Sequence, residues 1–322
     1  MSPVISAHVD VARLDANIRR LHDAAAAAGV AVRAHVKGHR TPRIAGRQVR
    51  AGAGGIAVTR VGEARHYAGA GFEDIVVAWP WRDRERLTAL ARVAGSCRLS
   101  LHVDDVDTVA ELGRAARAHG AVIGVRAVVE PGVDTAGIAR RAACTAGLRL
   151  GGVSGYADLT GPEEARDRDR IGRTAAARTV SAAEALRAEG LECPVVAVGG
   201  TPAARAVMTV AGVTEIGAGA YALCDAGLAR LGVCRFEDVA VGIDVPAAAA
   251  AELTEGLHQP WSPETATFPD GRAFPGEAPS AASPHPGGLL RLLPAHVCPL
   301  VLRLEELHTS DGERWPTVRG EA

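Results

Sequence analysis

An α/β fold, a (β/α)8 TIM-like barrel followed by a small C-terminal β-rich domain, is what this sequence predicts. Three observations lead there. Short β-branched runs alternate with Ala-rich helical stretches over residues 30–225, the signature of parallel βαβ units. The unit recurs eight times in roughly 200 residues, the count of a closed barrel. After Gly242 the pattern stops, and residues 259–288 hold seven prolines and four glycines, a poor composition for helix or parallel strand. A doubly wound open sheet is the alternative architecture. No GxGxxG follows the first strand, which weighs against a dinucleotide-binding version of it.

Taken in order, Ala7–Val11 reads as a short strand and Leu14–Ala28 as an amphipathic helix, with Leu14, Ile18 and Leu21 at helical spacing. The eight barrel runs are Ala31–Val36, Gly55–Thr59, Asp74–Ala78, Arg98–Val103, Ala121–Glu130, Leu148–Tyr156, Pro194–Gly199 and Thr214–Leu223. Helical stretches between them include Thr41–Ala51, Val61–Gly69, Asp83–Ala94, Val106–His119, Glu163–Glu189 and Thr201–Ala211. Thr41-Pro42 and Thr201-Pro202 place proline at a first helical position. In the tail, Leu289–Leu293 and Val297–Leu304 read as strands, broken by Pro294–His296. The expected division is a barrel over residues 7–238 and a small β domain over 239–322, with residues 1–6 a candidate addition to the latter.

Composition narrows the function classes. Among 322 residues, 36 basic and 37 acidic side chains leave a net charge of −1, and aromatics make up 3%. That argues against a nucleic-acid binder and against a polybasic membrane adaptor. No apolar run has the length of a membrane span and the N-terminus lacks a signal-peptide pattern, so a cytoplasmic protein is the default expectation. Six cysteines, none in CxxC, do not read as a disulfide framework. Cys97, Cys144, Cys193, Cys224 and Cys234 are expected to be small buried hydrophobes.

In a (β/α)8 barrel the chemistry lies at the C-terminal ends of the strands. The first run ends Arg33-Ala34-His35-Val36-Lys37-Gly38-His39. By alternation Arg33, His35 and Lys37 share one face, with Lys37 at the mouth. A neutral lysine amine is the nucleophile that couples to an aldehyde, and His35 or His39 could move protons. The plainer reading of Lys37 is a solvated surface lysine. Gly199-Gly200-Thr201-Pro202 closes the seventh run, where glycines let backbone N–H groups approach an anion. Gly217-Ala218-Gly219-Ala220-Tyr221 in the eighth run could complete the same cup, at the usual phosphate position of this fold. A lysine on the first strand and a phosphate cup at the last two suggest pyridoxal 5′-phosphate. In the tail, His296 and Cys298 stand at i and i+2 and would project to one side of a strand. Imidazole with thiolate favours a zinc-like ion. Its open positions could take water and a substrate hydroxyl. A lone HxC is a weak motif, and buried structural residues are the plainer reading.

Arg-Ala-His-Val-Lys-Gly-His-Arg (33–40) is similar to the Arg-Pro-His-x-Lys-Thr-His-Lys motif of D-threonine aldolases and eukaryotic-type D-serine dehydratases, fold-type III pyridoxal-phosphate enzymes with an alanine-racemase-like barrel. The resemblance extends over residues 8–18, 54–59 and 62–64. It returns at Gly199–Pro202, Gly219–Asp225 and His296–Pro299, in family order. It implies that Lys37 binds the cofactor aldehyde and that Gly200 and Thr201 hold the phosphate. Tyr221 lies nearby and Tyr156 approaches the pyridine ring, with Gly199, Gly219 and Asp225 in the same cofactor-binding set. It implies that His296 and Cys298 hold a divalent metal, Zn2+ or Mn2+, and that Lys37 and His35 are catalytic. The pair is His-x-Asp in many of the aldolases and His-x-Cys in the dehydratases. Three departures stand out: Thr135 where the family has an arginine near the cofactor ring, Tyr156-Ala157-Asp158-Leu159 in place of Tyr-x-Gly-His, and Ser283-Pro284-His285-Pro286-Gly287 without the family's glutamates.

The implied activity is a metal-dependent lyase acting on a small-molecule substrate, a D-β-hydroxy-α-amino acid. It would work by retro-aldol cleavage or by β-elimination of water. A metal-independent racemase or epimerase and a non-catalytic pyridoxal-phosphate-binding protein are the alternatives. A homodimer follows from the resemblance.

Overall fold

The computed structural model describes residues 6–159, 167–225, 228–229, 231–246, 266–267, 289–294 and 296–319. The chain forms two compact units. One is built mainly from Leu21–Lys37 and Ile44–Gly219, the other from the N-terminal segment to Arg20, Gly38–Arg43 and Ala220–Thr317.

The first unit is a closed eight-stranded parallel barrel of β2 (Ala31–His35), β3 (Ile56–Val58), β4 (Asp74–Val77), β5 (Arg98–Val103), β6 (Ile123–Val128), β7 (Leu148–Tyr156), β8 (Val195–Gly199) and β9 (Glu215–Ala218). Each strand lies within one of the eight runs read from the sequence. The outer helices are α2 (Pro42–Arg50), α3 (Val61–Gly69), α4 (Arg84–Val93), α5 (Val106–Ala118), α6 (Thr135–Cys144), α7 (Arg168–Ala188) and α8 (Ala204–Met208). Local chemistry starts them where they start. Asp83, Asp105 and Asp134 each accept a backbone N–H of the first helical turn, from Arg86, Thr108 and Gly137. Leu87, Leu90 and Ala91 in α4, and Val109, Leu112 and Ala116 in α5, recur at helical spacing and are buried. No helix among the described residues is long and apolar enough to cross a membrane.

The barrel interior is polar, whereas branched aliphatics usually fill such a core. Arg33 of β2 bridges Glu215 of β9 at 2.9 Å and Asp74 of β4 at 2.6 Å, and Arg126 of β6 bridges Glu215 at 3.0 Å. Small residues make room: Gly55 lies against the Arg33 guanidinium, so a Cβ there would collide with it. Gly152, at φ 133°, sits where the β6–β7 register shifts between Val125 and Arg126, a bulge that few other residues could form. Glu215 neutralises two buried guanidiniums. Glu215→Leu is therefore expected to lower the unfolding free energy by about 3–5 kcal/mol, read as a lower urea midpoint. An unchanged midpoint would mean that the network is not stabilising in this sense.

The second unit carries a six-stranded sheet in the order β11-β12-β10-β1-β13-β14. These strands are β1 (Ser6–Val9), β10 (Val241–Pro246), β11 (Ala266–Thr267), β12 (Leu289–Leu292), β13 (Glu306–Thr309) and β14 (Arg314–Pro316). β1, read from sequence as a prelude to the barrel, is an inner strand here, antiparallel to β10 and parallel to β13. Helix α1 (Val11–Ala27) follows it.

Two expectations are corrected. Val297–Leu304 does not form a strand: α9 spans Val297–Val301. Its apolar residues Val297, Leu300 and Val301, and Leu304 just beyond its end, are all buried, and their spacing is helical. Pro299 falls in the first turn, where the missing N–H costs nothing. Cys224 and Cys234 are not separate buried thiols but a disulfide, while Cys144 is exposed and Cys97 and Cys298 are half-buried.

Candidate active site

In the barrel unit, β2 ends at His35, and Lys37 lies in the 3-10 turn Val36–Gly38 that follows. The alternation argument holds for Arg33 and His35, whereas a turn, not the strand, sets the position of Lys37. That turn stands at the C-terminal end of the strand, where barrel chemistry belongs. His35 packs over Gly217 of β9 and over Gly219 just after it: a Cβ on Gly219 would come within 3.1 Å of the His35 Cβ. His35 Nδ1 is buried and has no hydrogen-bond partner. Tyr156 ends β7 in register with Gly199 of β8, and a Cβ on Gly199 would meet the Tyr156 ring at 2.9 Å.

The loops after β8 and β9 are stitched to each other. Gly200, at φ 122°, donates its N–H to the Gly217 carbonyl at 3.0 Å, and the Gly219 N–H donates to Thr201 Oγ1 at 3.0 Å. These two amides therefore shape the cup, and do not point at an anion as expected from sequence. Because Thr201 Oγ1 accepts from Gly219, its hydroxyl proton is left to donate elsewhere. The side-chain-free floor of Gly199, Gly217 and Gly219, the unpartnered His35 Nδ1, the Thr201 hydroxyl and the Lys37 amine suit a flat, phosphate-bearing aldehyde. These residues fit pyridoxal phosphate.

Thr135, at the position of the family arginine, is the first residue of α6, and its hydroxyl donates to the Val128 carbonyl at 2.7 Å. Asp158 is exposed. His285 and its neighbours lie outside the described residues.

Sequence reasoning missed His102. It projects into the barrel from β5, in register with Arg126, and its signal was a polar residue at an inward position of a strand. Burial pushes both imidazoles down to about 3, reinforced at His35 by Lys37, His102 and Arg33, and at His102 by Arg126 and Arg33. Both rings are neutral at pH 7. The unfolded chain protonates them near the usual 6.5, but the folded chain does not. Stability is therefore complete above pH 6.5 and declines through the window from 6.5 towards 3. Each ring contributes on the order of 1 kcal/mol per pH unit. Thermal unfolding between pH 7.5 and 5 should reveal this slope, and His102→Gln should flatten it; an unaltered slope in that variant would contradict the assignment.

In the second unit, Tyr221 is buried, as is Asp225. Asp225, expected among the cofactor ligands, instead spends its carboxylate on backbone and imidazole. Oδ2 accepts the Val297 N–H at 3.0 Å and lies 3.2 Å from His296 Nδ1; Oδ1 accepts the Leu228 N–H at 3.0 Å. Asp225 is 2% exposed and His296 44%. The Asp225 hydrogen bond, followed by one to Cys298, raises His296 to about 10. His296 caps α9 in an extended conformation and Cys298 sits in its first turn, so a strand is not what brings them together. His39, also in this unit, accepts the Thr41 N–H at Nδ1.

A carboxylate on Nδ1 leaves Nε2 as the donor nitrogen for a metal, with a thiol in reach of the same ring. That is a chemically apt pair for a divalent cation with an outer-shell orienter. No group of three His, Cys, Asp or Glu side chains gathers for a metal among the described residues, so the remaining positions would fall to water or substrate.

A barrel of this closure with a lysine turn after its first strand defines a class, and the comparisons agree with it. The chain belongs to the family of the alanine racemase N-terminal domain, whose model matches residues 9–225. Its relatives are more particular. D-threo-3-hydroxyaspartate dehydratase of Delftia sp. (strain HT23) is 35% identical over 74% of this chain and 66% of its own length, slightly under two thirds of that enzyme. D-threonine aldolase of an Arthrobacter species is 29% identical over 90% of this chain and 84% of its own. A solved D-threo-3-hydroxyaspartate dehydratase, a Cys→Ala mutant in the metal-free form, matches with TM-score 0.86 at 29% identity, covering 100% of this chain and 98% of that one. A His→Ala mutant of an enzyme of the same name matches at 0.83 and 29%, covering 100% and 96%. Aldolase and dehydratase are both lyase activities, so these four relatives are named as lyases of D-hydroxy amino acids.

Proposed function

We propose that this chain is a pyridoxal-phosphate- and divalent-metal-dependent lyase of D-β-hydroxy-α-amino acids. One observation carries the reading furthest. A buried carboxylate aims the His296 ring, and a thiol lies within that ring's reach, an arrangement for which a metal-independent racemase has no use. The mutants of the solved dehydratase replace a histidine and a cysteine two positions apart, the spacing of His296 and Cys298.

Lys37 would bind the cofactor through its Nζ, and Thr201 would donate its hydroxyl proton to the phosphate. Gly199, Gly217 and Gly219 would form the floor of that cup, shaped by the Gly200 N–H on the Gly217 carbonyl, with Tyr156 covering Gly199 at its edge. Pyridoxal phosphate would supply an electron sink for charge developing at the substrate Cα. His35, kept neutral by burial and by cationic neighbours, would serve through its unpartnered Nδ1 as a hydrogen-bonding group against the bound cofactor, not as a strong base. His296 Nε2 and the Cys298 thiolate would hold the cation, which would supply Lewis-acid polarisation of the β-hydroxyl. Asp225 fixes the tautomer of His296 with its proton on Nδ1.

Two outcomes share this equipment. Loss of the hydroxyl proton with rupture of Cα–Cβ gives an amino acid and an aldehyde. Loss of the α-proton with departure of the hydroxyl gives, after hydrolysis, a 2-oxo acid and ammonia. His-x-Cys, shared in residue type with the dehydratase, favours the second. The donor pair suits zinc better than manganese. A homodimer in the cytoplasm completes the proposal.

The test is product identity. With D-threo-3-hydroxyaspartate, D-threonine and D-serine, ammonia with a 2-oxo acid identifies dehydration, and glycine with an aldehyde identifies retro-aldol cleavage. Racemised substrate alone would overturn the lyase reading.

A further inference from the structure

Cys224 and Cys234 form a disulfide across a sequence separation of 10, and nothing in the chemistry above uses it. Its position is informative. Cys224 is buried and immediately precedes Asp225, the residue that orients His296. Cys224 also holds a left-handed backbone, φ 52°, a conformation that is costly for a residue with a side chain and persists where its surroundings enforce it. The bridge is one such constraint.

The wider loop is closed by ties that do not involve sulfur. Asn17 Nδ2 donates to the carbonyls of Ala222 at 3.1 Å and Asp238 at 2.8 Å, and the Ala240 N–H donates to the Leu223 carbonyl at 2.7 Å. Arg20 pairs with Asp238 at 3.1 Å. None of these contacts uses either sulfur. What the sulfur bridge adds is confined to the segment inside that neck, and Asp225 is in it.

We propose that the Cys224–Cys234 disulfide is a reducible site, addressed by a dithiol reductant, that sets the cation affinity of the His296–Cys298 pair. This rests on the metal reading under the proposed function. A thiolate of the dithiol attacks Cys234 Sγ, the less buried of the two. A new S–S bond forms, the old one breaks, and Cys224 leaves as a thiolate and takes a proton. The second thiol of the reductant then attacks its own bonded sulfur and releases Cys234 as a thiol. The dithiol loses two electrons and two protons, and the two cysteines gain them. Cys224 is then free to relax from its left-handed conformation, and the Asp225 carboxylate loses its fixed aim at His296.

The experiment measures Zn2+ affinity by competition with a chromophoric chelator. The full-length protein is used as prepared, after a phosphine reductant, and after reoxidation. Alkylation and peptide mass mapping report the state of Cys224 and Cys234 in each sample. Reduction should weaken binding by about 10- to 100-fold, the scale of losing an outer-shell orienter, and reoxidation should restore it. A Cys224→Ser/Cys234→Ser variant should bind as the reduced protein does, which excludes zinc capture by the freed thiols. Asp225→Asn should be weak in both states. Equal affinity in both states, with Cys298→Ala abolishing binding, overturns the redox proposal and leaves the metal pair standing. Binding that ignores Cys298→Ala in every state overturns both, and free alkylation of Cys224 and Cys234 in the unreduced protein overturns the disulfide itself.

Discussion

Lys37→Ala is expected to abolish the absorbance near ~420 nm that the protein acquires with pyridoxal phosphate, and to lower lyase turnover by more than about a thousandfold. The reasoning is local. The 3-10 turn Val36–Gly38 sets Lys37 at the C-terminal end of β2, and no other lysine exists in the chain to replace it. Folding should be unaffected, because Lys37 is only half-buried, so the barrel with its Arg33–Glu215–Arg126 network persists. Far-UV circular dichroism should therefore match the wild type while the band is missing. A retained band would mean that the cofactor is held elsewhere, or not through a lysine.

The second large effect concerns the cation. Under the proposed reading, Cys298→Ala would remove one of the two proposed side-chain donors, and His296→Ala the other together with the proton partner of Asp225. Each is expected to lower metal-dependent turnover by at least about 100-fold, more than the 10- to 100-fold typical of an outer-shell loss such as Asp225→Asn. Excess Zn2+ should restore Cys298→Ala only in part, because a missing ligand weakens affinity and also alters the geometry of what binds. His296→Ala additionally leaves the buried Asp225 carboxylate with only its two backbone donors, so its Tm should fall while that of Cys298→Ala should not. Turnover unchanged in both variants would remove the metal from the mechanism.

The barrel was legible because its strands are buried on both faces and so are written as unbroken β-branched runs such as Ile75-Val76-Val77. The Lys37 turn and the Gly199–Thr201 loop were legible as residue types at strand ends. The tail was not. Val297-Cys298-Pro299-Leu300-Val301 is apolar and short, and such a run does not by itself tell strand from helix. In a first turn proline is compatible with a helix, and the 297, 300, 301, 304 spacing was the better guide. Asp225 and His296 are 71 residues apart, and nothing local signals a long-range hydrogen bond. The same holds for Cys224 and Cys234, whose pairing depends on a loop whose ends are tied by Asn17. The polar barrel core was not legible because Arg33, Arg126 and Glu215 lie on separate strands far apart in sequence; only closure of the sheet brings them together.

Metal-dependent lyase chemistry is tested most directly by turnover of D-threo-3-hydroxyaspartate and D-threonine by the pyridoxal-phosphate-loaded protein. Turnover would be measured before chelation, after chelation, and after return of Zn2+ or Mn2+. Product formation from at least one substrate is expected to stop on chelation and resume with the cation, while the cofactor absorbance stays unchanged throughout. Turnover indifferent to chelation, or exchange of the α-proton with no bond cleaved, would contradict that expectation.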